Sequence, residues 1–333
     1  MSFADDSQAV VIGLNAAIVT MLEGAPQVLA VRHVVPGAAT GVRPERDGLP
    51  FGPFEPLAHR TLDAGMRTWI KGQTGLEIGY AEQLYTFGDR GRHEVQAGTG
   101  PRVVSVGYLA LVRAHGAPPV ADSAWRGWYG FFPWEDWRAA PPSLIEAVIL
   151  PRLKTWAQAG GNQRDQRWDR ARLCFGFDGL GWDEEKTLER YELLYEAGLV
   201  AEARQDGRPI PPEAQGPLAE LGQPMIFDHR RILATAIGRL RGKLKYRPVI
   251  FELMPPEFTL LELQRAVEAI TGVLVHKQNF RRLVETSGLV EGTGRMSAPA
   301  KGRPAEKFRF RREVLRERPA PGVKVAASRG AKR

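Results

Sequence analysis

Apolar positions switch between a period of two and a helical period along this chain, and each switch marks an element. Residues 8–22, QAVVIGLNAAIVTML, and 27–33, QVLAVRH, are apolar and rich in β-formers, and Glu23-Gly24-Ala25-Pro26 separates them. That pattern predicts two strands joined by a turn. A Pro- and Gly-rich stretch to about residue 56 reads as loop. Over 57–76, LAHRTLDAGMRTWIKGQTGL, the residues Leu57, Leu62, Gly65, Trp69 and Ile70 share a helical face, and Gly75 ends it. Residues 80–87 and 102–112 read as further strands around a polar loop, so the N-terminal part is mixed α/β.

Trp125, Trp128, Trp134 and Trp137 then crowd into thirteen residues with Tyr129, Phe131 and Phe132. Such a cluster is either core or a lid over a pocket. Segments 143–158 and 183–203 carry helical spacing behind Ser143 and Asp183 as caps. The polar GGNQRDQRWDRAR between them is expected on the surface. The Pro- and Gly-rich stretch 206–224 places a domain boundary there, giving 1–224 and 225–318 as two domains and 319–333 as a disordered basic tail.

The C-terminal part has a sharper pattern. Residues 227–246 predict a helix with Ile232, Leu233, Ile237 and Leu240 inside. Residues 255–272 predict another, with Thr259 and Glu262 spaced for a capping box and Gly272 as the stop. After the apolar turn Val273-Leu274-Val275, HKQNFRRLVETSG at 276–288 turns Phe280, Leu283 and Val284 one way and Lys277, Gln278, Asn279, Arg281 and Arg282 the other. Two helices at this spacing form a helix-turn-helix, and Gln, Asn and Arg are the side chains that pair with base edges. The segments LVEGTG and KGRPAEKFRFRREV read as a two-stranded wing carrying Lys301, Arg303, Lys307, Arg309 and Arg311 toward phosphates or the minor groove.

Charge reinforces this division. The 333 residues carry a formal +8, but residues 226–333 hold 24 Lys and Arg against 10 Asp and Glu, a net of +14, which leaves −6 for the rest. A basic domain beside a mildly acidic one implies a polyanion partner for the first and a separate task for the second. An ordinary charged helix pair is the plain alternative; spacing, side-chain identity, wing and charge together favour double-stranded DNA. Cys174 is the only cysteine, which excludes an intramolecular disulfide and a cysteine zinc site. The chain lacks an apolar run of membrane-spanning length and an N-terminal leader pattern, so a cytoplasmic protein without a membrane partner is expected.

The segment LRGKLKYRPVIFELMPPEFTLLELQRAVEAITGVLVHKQNFRRLVETSGLV, with GRPAEKFRF after it, resembles the Nudix-related transcriptional regulators of NAD metabolism, the NrtR/NadQ-like group. YAEQLYTFGD at 80–89, RVVSVGYLALV at 102–112 and the helix ending in Thr74-Gly75-Leu76 resemble the Nudix-like domain of the same regulators. The resemblance implies an α+β protein: a Nudix-like mixed α/β sandwich, enlarged by an insertion at 113–222, followed by a winged helix-turn-helix. It further implies a homodimeric repressor of NAD-biosynthesis genes that binds a palindromic operator, needs no cofactor and senses NAD, ADP-ribose or ATP.

Hydrolysis by a Nudix enzyme requires glutamates that hold Mg²⁺ on the helix before Thr-Gly-Leu. With Gly75 set on the motif glycine, Thr68 and Trp69 replace the expected Arg-Glu, Gly72 and Gln73 replace the metal-binding glutamates, and Arg60 takes the upstream glutamate position. The expectation is therefore an effector domain without catalysis or metal. Its pocket would lie on the Nudix-like sheet, with Arg32 and Arg102 for phosphates, Phe87 and Trp134 for stacking, and Glu82 and Asp89 for ribose hydroxyls. Phe87 and Trp134 are equally read as core, and the charged four as surface or ion-pair residues. The competing readings are a pyrophosphatase using Glu77, Glu82 and Asp89 as metal ligands, and a general RNA or chromatin binder.

Overall fold

The computed structural model describes residues 10–34, 45–89, 102–113, 120–208, 221–297 and 304–314. A mixed sheet organises the N-terminal part. Its path runs β3 (Glu45–Gly48), β2 (Ala25–Val34), β1 (Val10–Leu22), β6 (Arg102–Leu111) and β5 (Tyr80–Phe87), while β4 (Phe51–Pro53) pairs with β1 and β7 (Ser123–Gly127) with β2. The long parallel ladder of β1 on β6, from Val10 opposite Arg102 to Val19 opposite Leu111, is the spine. Strands β3 and β4 fall where loop was expected. They hold only four and three residues and exist by pairing with β2 and β1, so no periodicity announces them.

Alternation along β1 divides two layers, because successive side chains point to opposite faces. Leu14, Ala16 and Ile18 pack with Met66 and Ile70 of α1 (Leu62–Thr74) on one face. Ala17 and Val19 pack on the other with Ile232, Leu233 and Ile237 of α6 (His229–Leu244). Helix α1 starts five residues later than its pattern implied, at Leu62, behind the cap Thr61, whose hydroxyl accepts from the Ala64 amide, and it ends at Gly75 in a left-handed conformation at φ 70°. In this second layer α6, expected to open the C-terminal domain, packs on the sheet and shares its core cluster.

The region expected as an insertion is likewise structural in part. β7 completes the sheet edge, Gln27 opposite Gly127 through Val31 opposite Ser123. Trp128, Phe131, Phe132 and Trp134 are wholly buried, which decides the aromatic cluster in favour of core. Beyond them, a π-helical turn at Ile145–Ile149 leads into α2 (Leu150–Gln158), which packs on α3 (Arg164–Phe175); the polar segment at its start is largely exposed, as its composition implied, and is helical from Arg164. The single helix expected at 183–203 is two, α4 (Thr187–Glu196) and α5 (Ala201–Gln205), separated at Gly198 with φ 71°. α4 packs along α6.

The C-terminal part holds α7 (Leu260–Thr271), α8 (Lys277–Ser287) and the hairpin β8 (Val290–Met296) with β9 (Glu306–Phe310). Leu263, Val267 and Ile270 of α7 and Phe280 and Val284 of α8 join the same core cluster as α4 and α6. One continuous apolar core thus runs from the sheet into the helix-turn-helix. No helix among the described residues is long and apolar enough to cross a membrane.

Candidate nucleic-acid interface

Helix α7 begins as its sequence dictates. The Thr259 hydroxyl accepts from the Glu262 amide at 3.2 Å, and the Glu262 carboxylate accepts from the Thr259 amide at 2.7 Å. Gly272, at φ 78°, ends it, and the turn that follows is fixed by the buried Glu268. Its Oε1 accepts from the Val275 amide and from Gln264 Nε2, both at 3.0 Å. Sequence reasoning passed over Glu268, since an acidic residue in an amphipathic helix reads as solvated.

With the turn set, Phe280 and Val284 anchor α8, and Lys277, Gln278, Asn279, Arg281 and Arg282 are all exposed. Their side chains present one cationic, hydrogen-bonding surface at the start of the helix, where the macrodipole also favours phosphate. The hairpin beside it is clamped by aromatic packing: Phe310 stacks on Phe251 at 4.3 Å, and Phe308 exchanges two backbone hydrogen bonds with Phe258. Lys307 and Arg309 lie on this wing, and Arg309 pairs with Glu291 across it at 2.6 Å. Lys301, Arg303 and the basic tail lie outside the described residues.

The carboxyl end of α7 is held by the sheet domain. Tyr129 Oη donates to the Ala269 carbonyl at 2.7 Å, Arg241 Nε to Ile270 at 2.9 Å, and the Trp137 amide to Gly272 at 2.7 Å. Helix C-termini leave carbonyls unpaired, and here another domain supplies the donors. Behind them, Glu135 receives two bonds from Arg190 of α4, at 2.6 and 2.9 Å, and another from Arg241 of α6. All three side chains are at most 1% exposed. Burial alone would raise the Glu135 carboxyl, but the two guanidinium charges and their hydrogen bonds more than offset it and hold it below its ordinary range. No periodicity pointed to this triad.

The residues expected around a nucleotide do not converge. Phe87 is 1% exposed and Trp134 not at all, so both are core aromatics rather than stacking platforms. Glu82 is paired with Lys243 and, at 3.7 Å, with Arg239. Asp89 pairs with Arg231, whose guanidinium lies 5.1 Å from the Phe87 ring centre. Arg102 donates to the Gly88 carbonyl at 2.9 Å. Arg32 is exposed, pairs with Glu45 at 3.4 Å and lines a separate cavity of about 550 Å³ with Asp47, Asp122 and Arg126.

Helix α1 puts its substituted positions to structural use. Gln73 accepts from the Phe51 amide at 3.0 Å and donates to the Phe51 carbonyl at 2.6 Å, and Trp69 Nε1 donates to Pro53 at 2.8 Å. Strand β4 is thereby laced to the helix. Gly52 is required beneath the indole, since a Cβ there would stand 2.2 Å from it. Among the described residues no group of three His, Cys, Asp or Glu side chains is placed to hold a metal ion.

Residues 250–310 match the family model of the NrtR DNA-binding winged helix domain. In sequence, the winged helix is similar to that of NrtR. An 86-residue stretch is 43% identical to the ADPR responsive transcriptional repressor NtrR of Acinetobacter baylyi, over 26% of this chain and 34% of that protein. The match thus spans about a third of the curated relative. Over nearly its whole length the chain shares its fold with Shewanella oneidensis NrtR complexed with a 27mer DNA, at a TM-score of 0.52 and 19% identity over 92% of this chain and 95% of that one. A MutT/nudix family protein from Enterococcus faecalis is equally close in fold, at a TM-score of 0.52 and 13% identity over 93% and 90%. The likeness is thus one of sequence in the winged helix and of fold over nearly the whole chain.

Proposed function

We propose that this chain is a transcriptional repressor that reads a palindromic operator as a homodimer and responds to ADP-ribose or a related nucleotide, NAD or ATP. The observation that carries the reading is α8. Its apolar face is locked into the core by Phe280 and Val284, and its whole opposite face, Lys277, Gln278, Asn279, Arg281 and Arg282, is free of the fold. Lys307, and Lys301 and Arg303 of the wing sequence, would add phosphate contacts, which position a protein without specifying sequence. The relative is an ADPR responsive repressor, which supports ADP-ribose as effector; NAD-biosynthesis genes as targets and a cytoplasmic location are what the sequence resemblance implies. In this reading the effector unit extends through α6 to about residue 244.

The same reading makes the Nudix-like part non-hydrolytic. The positions that would carry metal-binding glutamates hold Gln73, Gly72 and Arg60, and Gln73 is committed to β4. The carboxylates of the pyrophosphatase alternative are engaged elsewhere: Glu77 with Lys71 at 2.8 Å, Glu82 with Lys243, and Asp89 with Arg231.

The deciding experiment is a gel shift with DNA upstream of NAD-synthesis genes, titrated with ADP-ribose, NAD and ATP, beside random DNA at several salt concentrations. A symmetric footprint with half-sites spaced by whole helical turns, and an affinity that one nucleotide alters, is expected. Equal affinity for random DNA refutes the operator reading.

A further inference from the structure

The winged helix meets the sheet domain in two places of different build. At the carboxyl end of α7 the meeting is dry. Tyr129, Arg241 and Trp137 hold the last carbonyls, and Glu135, Arg190 and Arg241 are closed off from solvent behind them. Close packing of that kind favours one arrangement. At the base of the wing the two parts instead border a cleft of about 620 Å³, lined among others by Arg113, Phe251 and Phe310.

Arg113 stands two residues past the end of β6, which lies between β1 and β5 in the sheet. That end is firmly held: Leu111 is paired with Val19 and Tyr80, and the Val112 amide donates to the Val19 carbonyl at 3.0 Å. From there the exposed Arg113 side chain crosses the junction and donates to the Phe251 carbonyl at 2.6 Å. Phe251 belongs to the short 3-10 helix Val249–Glu252, and its ring stacks on that of Phe310 in β9 with centres 4.3 Å apart. A path from an interior strand of the sheet to the wing thus runs through Arg113, Phe251 and Phe310, and its first link is a guanidinium hydrogen bond at the rim of a cleft.

We propose that Arg113 is a coupling residue: held by β6, it positions Phe251 and with it the wing strand, so that a nucleotide held by the sheet domain alters DNA binding through this bond. A ligand shifts an equilibrium only through interactions that differ between two states. The Arg113 bond is suited to differ, because a charged hydrogen bond bordering open space is made or released without repacking a core, whereas the contacts at the end of α7 are not. The proposal rests on the reading of the chain as a nucleotide-responsive repressor.

The test is a binding cycle on the full chain. Operator affinity is titrated without and with saturating ADP-ribose, and ADP-ribose affinity is measured by calorimetry without and with operator DNA; the two ratios must agree, because coupling is reciprocal. Arg113→Met, at an exposed residue, keeps a long side chain and removes the donor. It should bring the ratio at least about threefold nearer to one, the scale of one net hydrogen bond, while ADP-ribose affinity without DNA stays within about twofold. A residue that only stabilised the fold would leave the ratio where it was. Phe310→Leu breaks the next link and should also lower the ratio, and the double variant should lower it no further than the larger single effect, since residues on one path are not additive. Tyr129→Phe, at the end of α7, should weaken operator binding by the same factor with and without nucleotide. An unchanged ratio in Arg113→Met, additive effects of Arg113→Met and Phe310→Leu, or a ratio moved as far by Tyr129→Phe each overturns the proposal and leaves the repressor reading standing. A wild type whose operator affinity ADP-ribose does not alter refutes that reading and the proposal with it.

Discussion

Replacing Glu135 by alanine strips the carboxylate from between two guanidinium groups that have no contact with solvent. Arg190 keeps the carbonyls of Cys174 and Asp183, and Arg241 keeps those of Ile270 and Glu184, but neither retains a counter-charge. Breaking a buried pair by removing one partner costs roughly 3–5 kcal/mol, and here two cations lose the same partner, so the upper end, about 5 kcal/mol, applies. For a large domain each kcal/mol moves Tm by about 2–4 °C, so a fall of at least about 10 °C is expected by calorimetry. Hydrogen exchange should show the loss at the carboxyl end of α7, where Arg241 and Trp137 hold the last carbonyls. The pH dependence has a fixed sign. The folded carboxyl lies below its ordinary value, so its contribution is complete above the unfolded pKa and lost as pH falls through the folded one. The wild type should therefore lose stability in the acid range below the usual carboxylate value more steeply than Glu135→Gln. A Tm within about 2 °C of wild type for Glu135→Ala would falsify the ledger, since it leaves less than about 1 kcal/mol for the triad.

Other expectations test other links. Gln278→Ala and Arg281→Ala should each cost about 1–3 kcal/mol of operator affinity and relax preference at one base pair, while Lys277→Ala should weaken all sequences alike and reduce the salt slope by about one; titrations at three salt concentrations separate them. Gln73→Glu restores a carboxylate at a metal position but removes the donor to the Phe51 carbonyl. Destabilisation of roughly 1–3 kcal/mol in urea, with no ADP-ribose hydrolysis in Mg²⁺, is expected, and turnover would revive the pyrophosphatase. Gly272→Ala forces a side chain onto φ 78° and a Cβ to 2.3 Å from the Glu135 carbonyl. It should lower Tm and operator affinity together, by about 1–3 kcal/mol in stability, and an unchanged melt would refute the close packing of α7 on Glu135.

Much of the winged helix was legible because its signals are local. Thr259 with Glu262, Gly272, and the spacing of Phe280 and Val284 lie within one or two turns of what they determine, and the structure keeps all of them. The hydrolase-like helix was legible for the same reason, down to the glycine that ends it and the glutamates it lacks. The effector residues were not. Glu82 and Asp89 owe their roles to Lys243 and Arg231, which are 161 and 142 positions away, and Phe87 and Trp134 were chosen for chemistry that burial denies them.

Sequence by itself determined which faces of α1, α7 and α8 are apolar, where those helices stop, and that the polar face of α8 offers Lys, Gln, Asn and Arg. Only tertiary structure decided that α6 covers the sheet, that β3, β4 and β7 are strands at all, and that Glu135, Arg190 and Arg241 are buried together. The physical reason is the same in each case. Periodicity records that a face is buried without recording against what, whereas a short strand or a buried charge is stable only through partners that the fold brings from elsewhere.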